Sequence, residues 1–577
     1  MIWARRIRRS LLVAACLFVP APAAAAWAHA ALLKTSPQGS VTVIGSPKQV
    51  TLTYSEAVEP KFAVVSVTDQ NGTQKAAGAP FTSPQNADTL VVPVSHLDPG
   101  WYLVYWRVIS ADGHPVRGAF TFAVGPNPGP APQFVIPSLS ESAATPSLVA
   151  ARWAVFLAVM LAAGLFTMRT MIARPVAIAS PRAMRALTIS FLACTAISLV
   201  AIPVYMLVTT ASFALSSVTD VAKIVPLITS SALGRALVDM EVIVALFAAA
   251  GAIAIAIDHS RGQRSVAALL AQTGAMLAGG ATLAVPGLAG HAAQTSPAGL
   301  AWPLDWLHMV TASLWLGGLA GLLVLVATAG TARRASLARV VPRFSRVATV
   351  SVLGVIASGT GAAILHLPTL ATLWDTSYGK AILVKIALLA AALVLGGLNN
   401  ARTSPRLVAA EARGDDGLGA SSARMLRSLV TGEVVLVTAA VGAAMVLSSL
   451  PPPAKALASL GTVSAHVGPG RVHTTVHEGP YTLDVTISPN RAAAPSTFAV
   501  RITRGSTPVR GATVIAHFLM LDMDMQAQAY TMTEGPPGTY TRSTPALVMV
   551  GHWGLEFQVE PRVGAPFTVV IVDKAEG

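Results

Sequence analysis

The sequence predicts a multi-domain membrane protein: an N-terminal β-sandwich, an eight-helix transmembrane α-bundle and a C-terminal β-sandwich. Three observations predict it. Of the 577 residues, 53% are hydrophobic and only 11% charged, with a mean hydropathy of +0.61, whereas a soluble domain carries about 25% charged residues. Eight apolar stretches, each near the roughly 20 residues that a helix needs to cross a bilayer, fill the middle of the chain. On either side the pattern changes to short runs of β-branched and aromatic residues separated by Gly, Pro and Asn.

The first 28 residues read as a secretory signal. Arg5, Arg6, Arg8 and Arg9 form a basic start, Leu11 to Pro20 a short apolar run, and Ala26-Trp27-Ala28 a small-x-small cleavage site. Cleavage there makes His29 the mature N-terminus. A lipobox ending at Cys16 and an uncleaved anchor are the alternatives. Cys16 and Cys194 are the only cysteines, which excludes a disulfide framework and a Cys-based metal cage.

Residues 29–125 then form the first β domain, with strands expected at 50–55, 62–69, 89–95, 101–110 and 118–125. A Pro/Ser-rich linker covers 126–147. The membrane domain covers 148–450, with spans near 148–168, 187–212, 236–257, 265–289, 303–328, 347–367, 381–399 and 428–450. Alternate loops hold the arginines: Arg169, Arg174, Arg182 and Arg185 in one, Arg261 and Arg264 in the next, five from Arg333 to Arg346, and five from Arg402 to Arg427. The other loops carry only Lys223, Arg235 and Lys380. The positive-inside rule therefore places both chain ends outside the plasma membrane. It also assigns much of the net charge of +14 to membrane topology and not to nucleic acid. A linker at 451–468 leads to a second extracytoplasmic β domain at 469–577, with strands expected at 481–488, 497–505, 512–521, 538–544 and 567–573.

The chemistry begins at "RVISADGHPVRG", residues 107–118. In an extended segment Asp112 and His114, two apart, point the same way. A mature His29 adds an amine and a second imidazole. The resulting three-nitrogen, one-oxygen set suits Cu(II), with the amine proton lost on binding. A turn Asp, a surface His and an irrelevant start is the plain alternative.

"HAALLKTSP", "LTYSEAVEP" (52–60) and "WRVISADGHPVRGAFTFAV" (106–124) resemble the periplasmic copper-binding CopC family over essentially all of 29–125. The resemblance implies a Greek-key β-sandwich with Cu(II) held by His29, Asp112 and His114. It also implies that Glu56 is an acidic residue near the metal. No Met occurs between residues 2 and 159, so the Met-rich Cu(I) segment of some members is missing.

In the membrane domain, "LAGHAAQ" (288–294) puts His291 at one span end, and "LDWLHMVTASLWLGGL" (304–319) puts Asp305 and His308 in the first turns of span five. Asp305, His308 and Trp315 share a helix face, and His366 ends span six. Ionisable residues in a span face a pathway or anchor in the headgroups. "GHA", "DWLHMVTASLWLGGL", "RFSRVATVSVLGVIASGTGA", "SYGKAILVKIALL" and "LGGLNNAR" resemble the CopD family of copper-resistance membrane proteins, in which His291 and His308 match motif histidines. The resemblance implies copper handling at the membrane, and the positions of His291, Asp305, His308 and His366 near one side of the spans offer a copper path. Met160, Met168, Met206, Met276 and Met309 lie in spans as thioether ligands or packing filler.

The last domain contains "HFLMLDMDMQAQAYTM" (517–532) and "ALVMVGHWGLEF" (546–557), which resemble the YtkA-like domain. Met523, Met525, Met549 and His552, joined by Met520 and Met532, offer a Cu(I) site. The alternative is a core face formed by Leu519, Leu521, Met523 and Met525. His466, His473 and His477 precede it in a stretch read as flexible. The whole chain reads as a copper-binding and copper-importing protein with no enzymatic activity, whose partners are copper ions, the lipid bilayer and extracytoplasmic copper chaperones. The alternatives are copper sequestration without transport, a copper monooxygenase and a haem-binding bundle.

Overall fold

The computed structural model describes residues 30, 32–39, 41–54, 57–110, 115–127, 145–258, 264–289, 298–450, 460–492, 495–521, 527–548 and 551–576. Its N-terminal domain is built from β1 (Leu32–Ser36), β2 (Thr42–Val43), β3 (Gln49–Tyr54), β4 (Val64–Asp69), β5 (Phe81–Thr82), β6 (Thr89–Pro93), β7 (Gly100–Ile109) and β8 (Pro115–Val124). Two sheets form, in the orders β1-β3-β6-β5 and β2-β8-β7-β4. Period-two burial along β3 sends Val50, Leu52 and Tyr54 inward. Tyr54 of one sheet meets Trp106 of the other edge-on, ring centroids 5.6 Å apart. The Trp106 indole lies flat over its cross-strand partner Gly118, where a Cβ would stand 2.7 Å from the ring. Any larger residue at 118 would expel that indole from the core.

Among the described residues, eight helices are long and apolar enough to cross a membrane. They are α1 (Pro146–Thr167), α2 (Pro181–Phe213), α3 (Ala232–Ile257), α4 (Val266–Ala289), α5 (Ala298–Thr328), α6 (Arg333–His366), α7 (Ser377–Leu398) and α8 (Asp416–Leu447). Several start earlier than hydropathy suggests: α6 and α8 begin well before the expected 347 and 428 because arginine-bearing turns continue the helix beyond the apolar stretch. Asp305 and His308 consequently lie in the second and third turns of α5, not its first turns. Gly164 of α1 and Gly317 of α5 let two backbones touch, since a Cβ on either would run into the other helix. Phe166, Phe191 and Phe247 interlock beside them. Met160, Met168 and Met206 are buried in this apolar core, with Met276 and Met309 packed against it, so their surroundings are those of packing filler.

The helix order puts both β domains at one end of the bundle and the arginine-rich turns at the other. At the arginine end Asp258 receives Arg174 Nε at 3.1 Å and Arg264 Nε at 3.7 Å, and Arg334 joins Glu411 and Asp416. At the β end Arg152 of α1 donates to the Tyr205 hydroxyl of α2 and to Ser448 Oγ beyond α8.

Among the described residues the C-terminal domain has eleven strands: β9 (Val463–Val467), β10 (Val472–Glu478), β11 (Tyr481–Ser488), β12 (Ser496–Arg504), β13 (Thr507–Pro508), β14 (Thr513–Met520), β15 (Gln528–Thr531), β16 (Thr533–Glu534), β17 (Thr539–Thr544), β18 (Gly551–Glu560) and β19 (Phe567–Ala575). The sheets run β10-β11-β12-β17-β16, with β13 on β12, and β15-β14-β18-β19-β9. One sequence expectation is corrected here. His466 lies on β9 and His473 and His477 on β10, so this stretch is paired strand; sparse apolar residues hid it because only Val472 and Val476 of β10 face the core. The core face of β14 is Val514, Ala516, Phe518 and Met520, the opposite parity to Leu519. Met520 and Met532 are buried between the sheets.

The two β domains and the bundle are joined by specific contacts. Ala119 N–H donates to the Val548 carbonyl at 3.1 Å. Arg107, 3% exposed, donates from Nη1 to the Phe213 carbonyl at 2.9 Å and from Nη2 to that of Ser212 at 3.4 Å. A guanidinium there adds donors to the last carbonyls of α2, of which that of Ser212 also accepts the Leu215 N–H, and meets the negative end of the α2 dipole. Phe62 packs edge-on against Phe213 beside it.

Within β19, Asp573 is fully buried and accepts from Asn490 Nδ2 at 2.9 Å; burial pushes its carboxyl up to about 6 from 3.8. A folded-state value above the unfolded one means that the folded chain binds the extra proton, so stability falls as pH rises from roughly 4 to 6 and the loss persists above that. The gap is worth about 3 kcal/mol. Asp573→Asn should therefore raise the thermal midpoint of the C-terminal domain near neutral pH and remove the gain that wild type shows on acidification. Calorimetry of the full chain at both pH values checks this.

Candidate metal centres

His29, Glu56, Asp112 and His114 lie outside the described residues, but the residues that adjoin them are described and converge. β1 opens with Leu32 opposite Tyr54, the last residue of β3. Four residues later Val58 bridges Ser110 in antiparallel sense, and Glu59 N–H donates to the Ile109 carbonyl. Ile109 in turn pairs with Pro115 across β7 and β8. The three chain segments that flank the candidate ligands thus meet at one corner of the sandwich. The hairpin of β7 and β8 is also the one that Arg107 seats on the end of α2.

In the bundle, His291 lies outside the described residues. His308 is enclosed by three helices. Its Nδ1 stands 3.0 Å from Ser358 Oγ of α6. That hydroxyl donates its own proton to the Gly354 carbonyl, so it must accept from His308, and Nδ1 carries the hydrogen. The lone pair therefore sits on Nε2, the nitrogen that could ligate a metal. Facing it at 3.4 Å is Lys385 Nζ of α7. Asp305, one turn before His308, is close enough for its charge to act on Lys385. Gly359 of α6 lies against the imidazole, where a Cβ would stand 3.4 Å from the ring, an ordinary contact.

Lys385 was not singled out by sequence reasoning. A lysine inside an apolar span was the signal, and the helix that would bring it to His308 could not be read from the chain. His366 does not join this group. It lies eight residues beyond Ser358 on α6, about 12 Å along the axis, where Nδ1 donates to the Ala362 carbonyl and the ring stacks on Tyr378. Trp315, on the same face of α5 as His308, is buried in the core.

Residues 32–125 match the CopC domain family, and residues 338–447 match the family of copper resistance protein D. The chain is 26% identical over 543 residues to the copper transport protein CutJ of Bacillus subtilis (strain 168), covering 92% of this chain and 93% of that one. Its first domain is 35% identical to protein YobA of Escherichia coli (strain K12) over 99 residues, 17% of this chain and 80% of that one. It is 33% identical over 107 residues to copper resistance protein C of Xanthomonas campestris pv. juglandis, 18% of this chain and 84% of that one. The chain belongs to the CopC and CopD copper-resistance family, as a fusion of the two. The CopD match includes Ser358, His366 and Lys385 and begins after Asp305 and His308. The candidate centre is thus assembled from one helix before the matched segment and two within it.

In the C-terminal domain Met523, Met525 and Met549 lie outside the described residues. His552 is half-buried on β18 opposite Lys574, near enough to Asp573 to lower its carboxyl slightly. Among the described residues no group of three or more His, Cys, Asp or Glu side chains is arranged to hold a metal ion.

The hydrogen bond from His308 to Ser358 fixes the imidazole that presents Nε2. Ser358→Ala should leave the buried Nδ1–H without an acceptor and cost roughly 1–3 kcal/mol, read as a lower thermal midpoint of the detergent-solubilised chain, while Ser358→Thr should retain most of the stability.

Proposed function

We propose that the CopC domain captures Cu(II) outside the plasma membrane and that the CopD bundle imports the copper. The ligands are His29, through its amine and imidazole, with Asp112 and His114, and Glu56 stands beside them. The observation that carries the reading is the convergence of the adjoining segments through the Leu32–Tyr54 and Val58–Ser110 pairs.

The arginine-rich turns occupy the bundle end opposite the β domains, which supports an extracytoplasmic position for both of them. Arg107 holds the candidate hairpin at the same bundle end from which His308 is reached. Joining capture domain and bundle in one chain raises the local concentration at the entrance to the millimolar range for a short linker. Copper that ligates His308 Nε2 must displace Lys385 from it, so the lysine guards the entry point by occupying it. The C-terminal domain, which resembles the YtkA-like domain, adds a weak Cu(I) site at Met523, Met525, Met549 and His552. The chain acts as a binding and transport protein, not an enzyme.

Isotopic copper uptake into proteoliposomes tests the import step. Wild type should accumulate lumenal copper and His308→Ala should lose at least tenfold in rate; binding without accumulation in both would leave sequestration. The capture site is tested at one bond. Mass spectrometry should find His29 first in the mature chain, and one extra Ala before it should weaken Cu(II) binding at least tenfold.

A further inference from the structure

Most hydroxyls in the spans bond back to a carbonyl one turn earlier, as Thr195, Ser198, Thr282, Ser313 and Thr328 do. The seam between α7 and α8 departs from that habit. Glu433 of α8 is 2% exposed, and its Oε1 has no hydrogen-bond partner. Its other oxygen lies against α7, where a Cβ on Gly396 would stand 3.1 Å from it. Toward the arginine-rich end follow Asn399, Thr403 and, on α8, Ser422. All three are buried, and Asn399 Oδ1, Thr403 Oγ1 and Ser422 Oγ are unpartnered.

These groups share one seam. Gly396, Asn399 and Thr403 are three and four residues apart and fall on one face of α7 and its continuation. Ser422 and Glu433 are eleven residues apart, about three turns, and share a face of α8. Asn399–Thr403 is a π-helical turn, a widened geometry that occurs often at functional sites.

We propose that Glu433 is a proton-binding site, loaded along this seam from the arginine-rich end of the bundle. The donor set is all oxygen with a single carboxylate, which does not suit soft Cu(I). No ion pair reaches Glu433 among the described residues. Charged groups on the elements packed against it stand toward the two ends, among them Lys380, Lys385, Asp305, His308, His366 and Arg152 on the β side, and Arg343, Arg346, Arg402, Arg406, Glu411, Arg424 and Arg427 on the other. A lone carboxylate removed from water is costly, and a proton removes the charge without needing further ligands. Thr403 and Ser422, not committed to their own helices, supply hydroxyls that can pass the proton between the end of the bundle and Glu433. The site differs from the candidate copper path in place and in chemistry, and it stands whether or not copper crosses the bundle.

Infrared difference spectroscopy of the full chain in lipid nanodiscs tests it without copper. Wild type minus Glu433→Gln should show a carboxylic-acid C=O band that shifts in D2O and gives way to carboxylate bands as pH is raised. Thr403→Val and Ser422→Ala should keep the band and slow its deuterium exchange several-fold. Glu433→Asp should move the band without abolishing it, and it carries the test if the Gln variant fails to assemble. A carboxyl fixed in one protonation state at every pH, or an exchange rate untouched by both seam variants, overturns the proposal.

Discussion

Inside a bilayer a polar side chain that finds no partner has no water to fall back on, and the arrangement of the bundle follows from that constraint. Most hydroxyls return to their own helix backbones. Arg152 reaches Tyr205 and Ser448 at one end, and Asp258 collects Arg174 and Arg264 at the other. What remains stands out by contrast. His308 is held by Ser358 on one nitrogen and faced by Lys385 on the other. Glu433 lies in a seam of oxygens without partners. The same rule that makes the bundle stable therefore marks the places where an ion has a reason to go.

The junction between domains uses a second form of the same economy. The carbonyls of Ser212 and Phe213 end α2, and Arg107 of β7 donates to both. Arg107 is buried in doing so, with the Phe62–Phe213 contact beside it. A single side chain thus couples the hairpin that carries Asp112 and His114 to the helix bundle. Ala119 links that domain to the C-terminal one through Val548, so the CopC domain touches both of its neighbours and is not merely tethered to them.

Hydropathy and β-pattern made the three-part architecture legible, and the eight spans emerged close to their expected positions. The errors have physical causes. Helix starts were placed too late because a helix does not end where its apolar stretch does. The strands with His466, His473 and His477 were missed because an edge strand with few inward side chains carries little periodic signal. The sequence left open which residues of β14 face inward because Leu and Met alternate there, and hydrophobicity alone does not say which set does.

The sequence by itself determined which segments cross the membrane, which end of the bundle is basic, and which residue types are available for copper, because those depend on local composition and spacing. Only the tertiary structure decided that Lys385 faces His308, that His366 stands apart from it, and that Glu433 lies against Gly396. Those facts depend on which helices pack together and at what height, and helix packing is set by close contacts such as Gly164 on Gly317, whose partners are far apart in the chain.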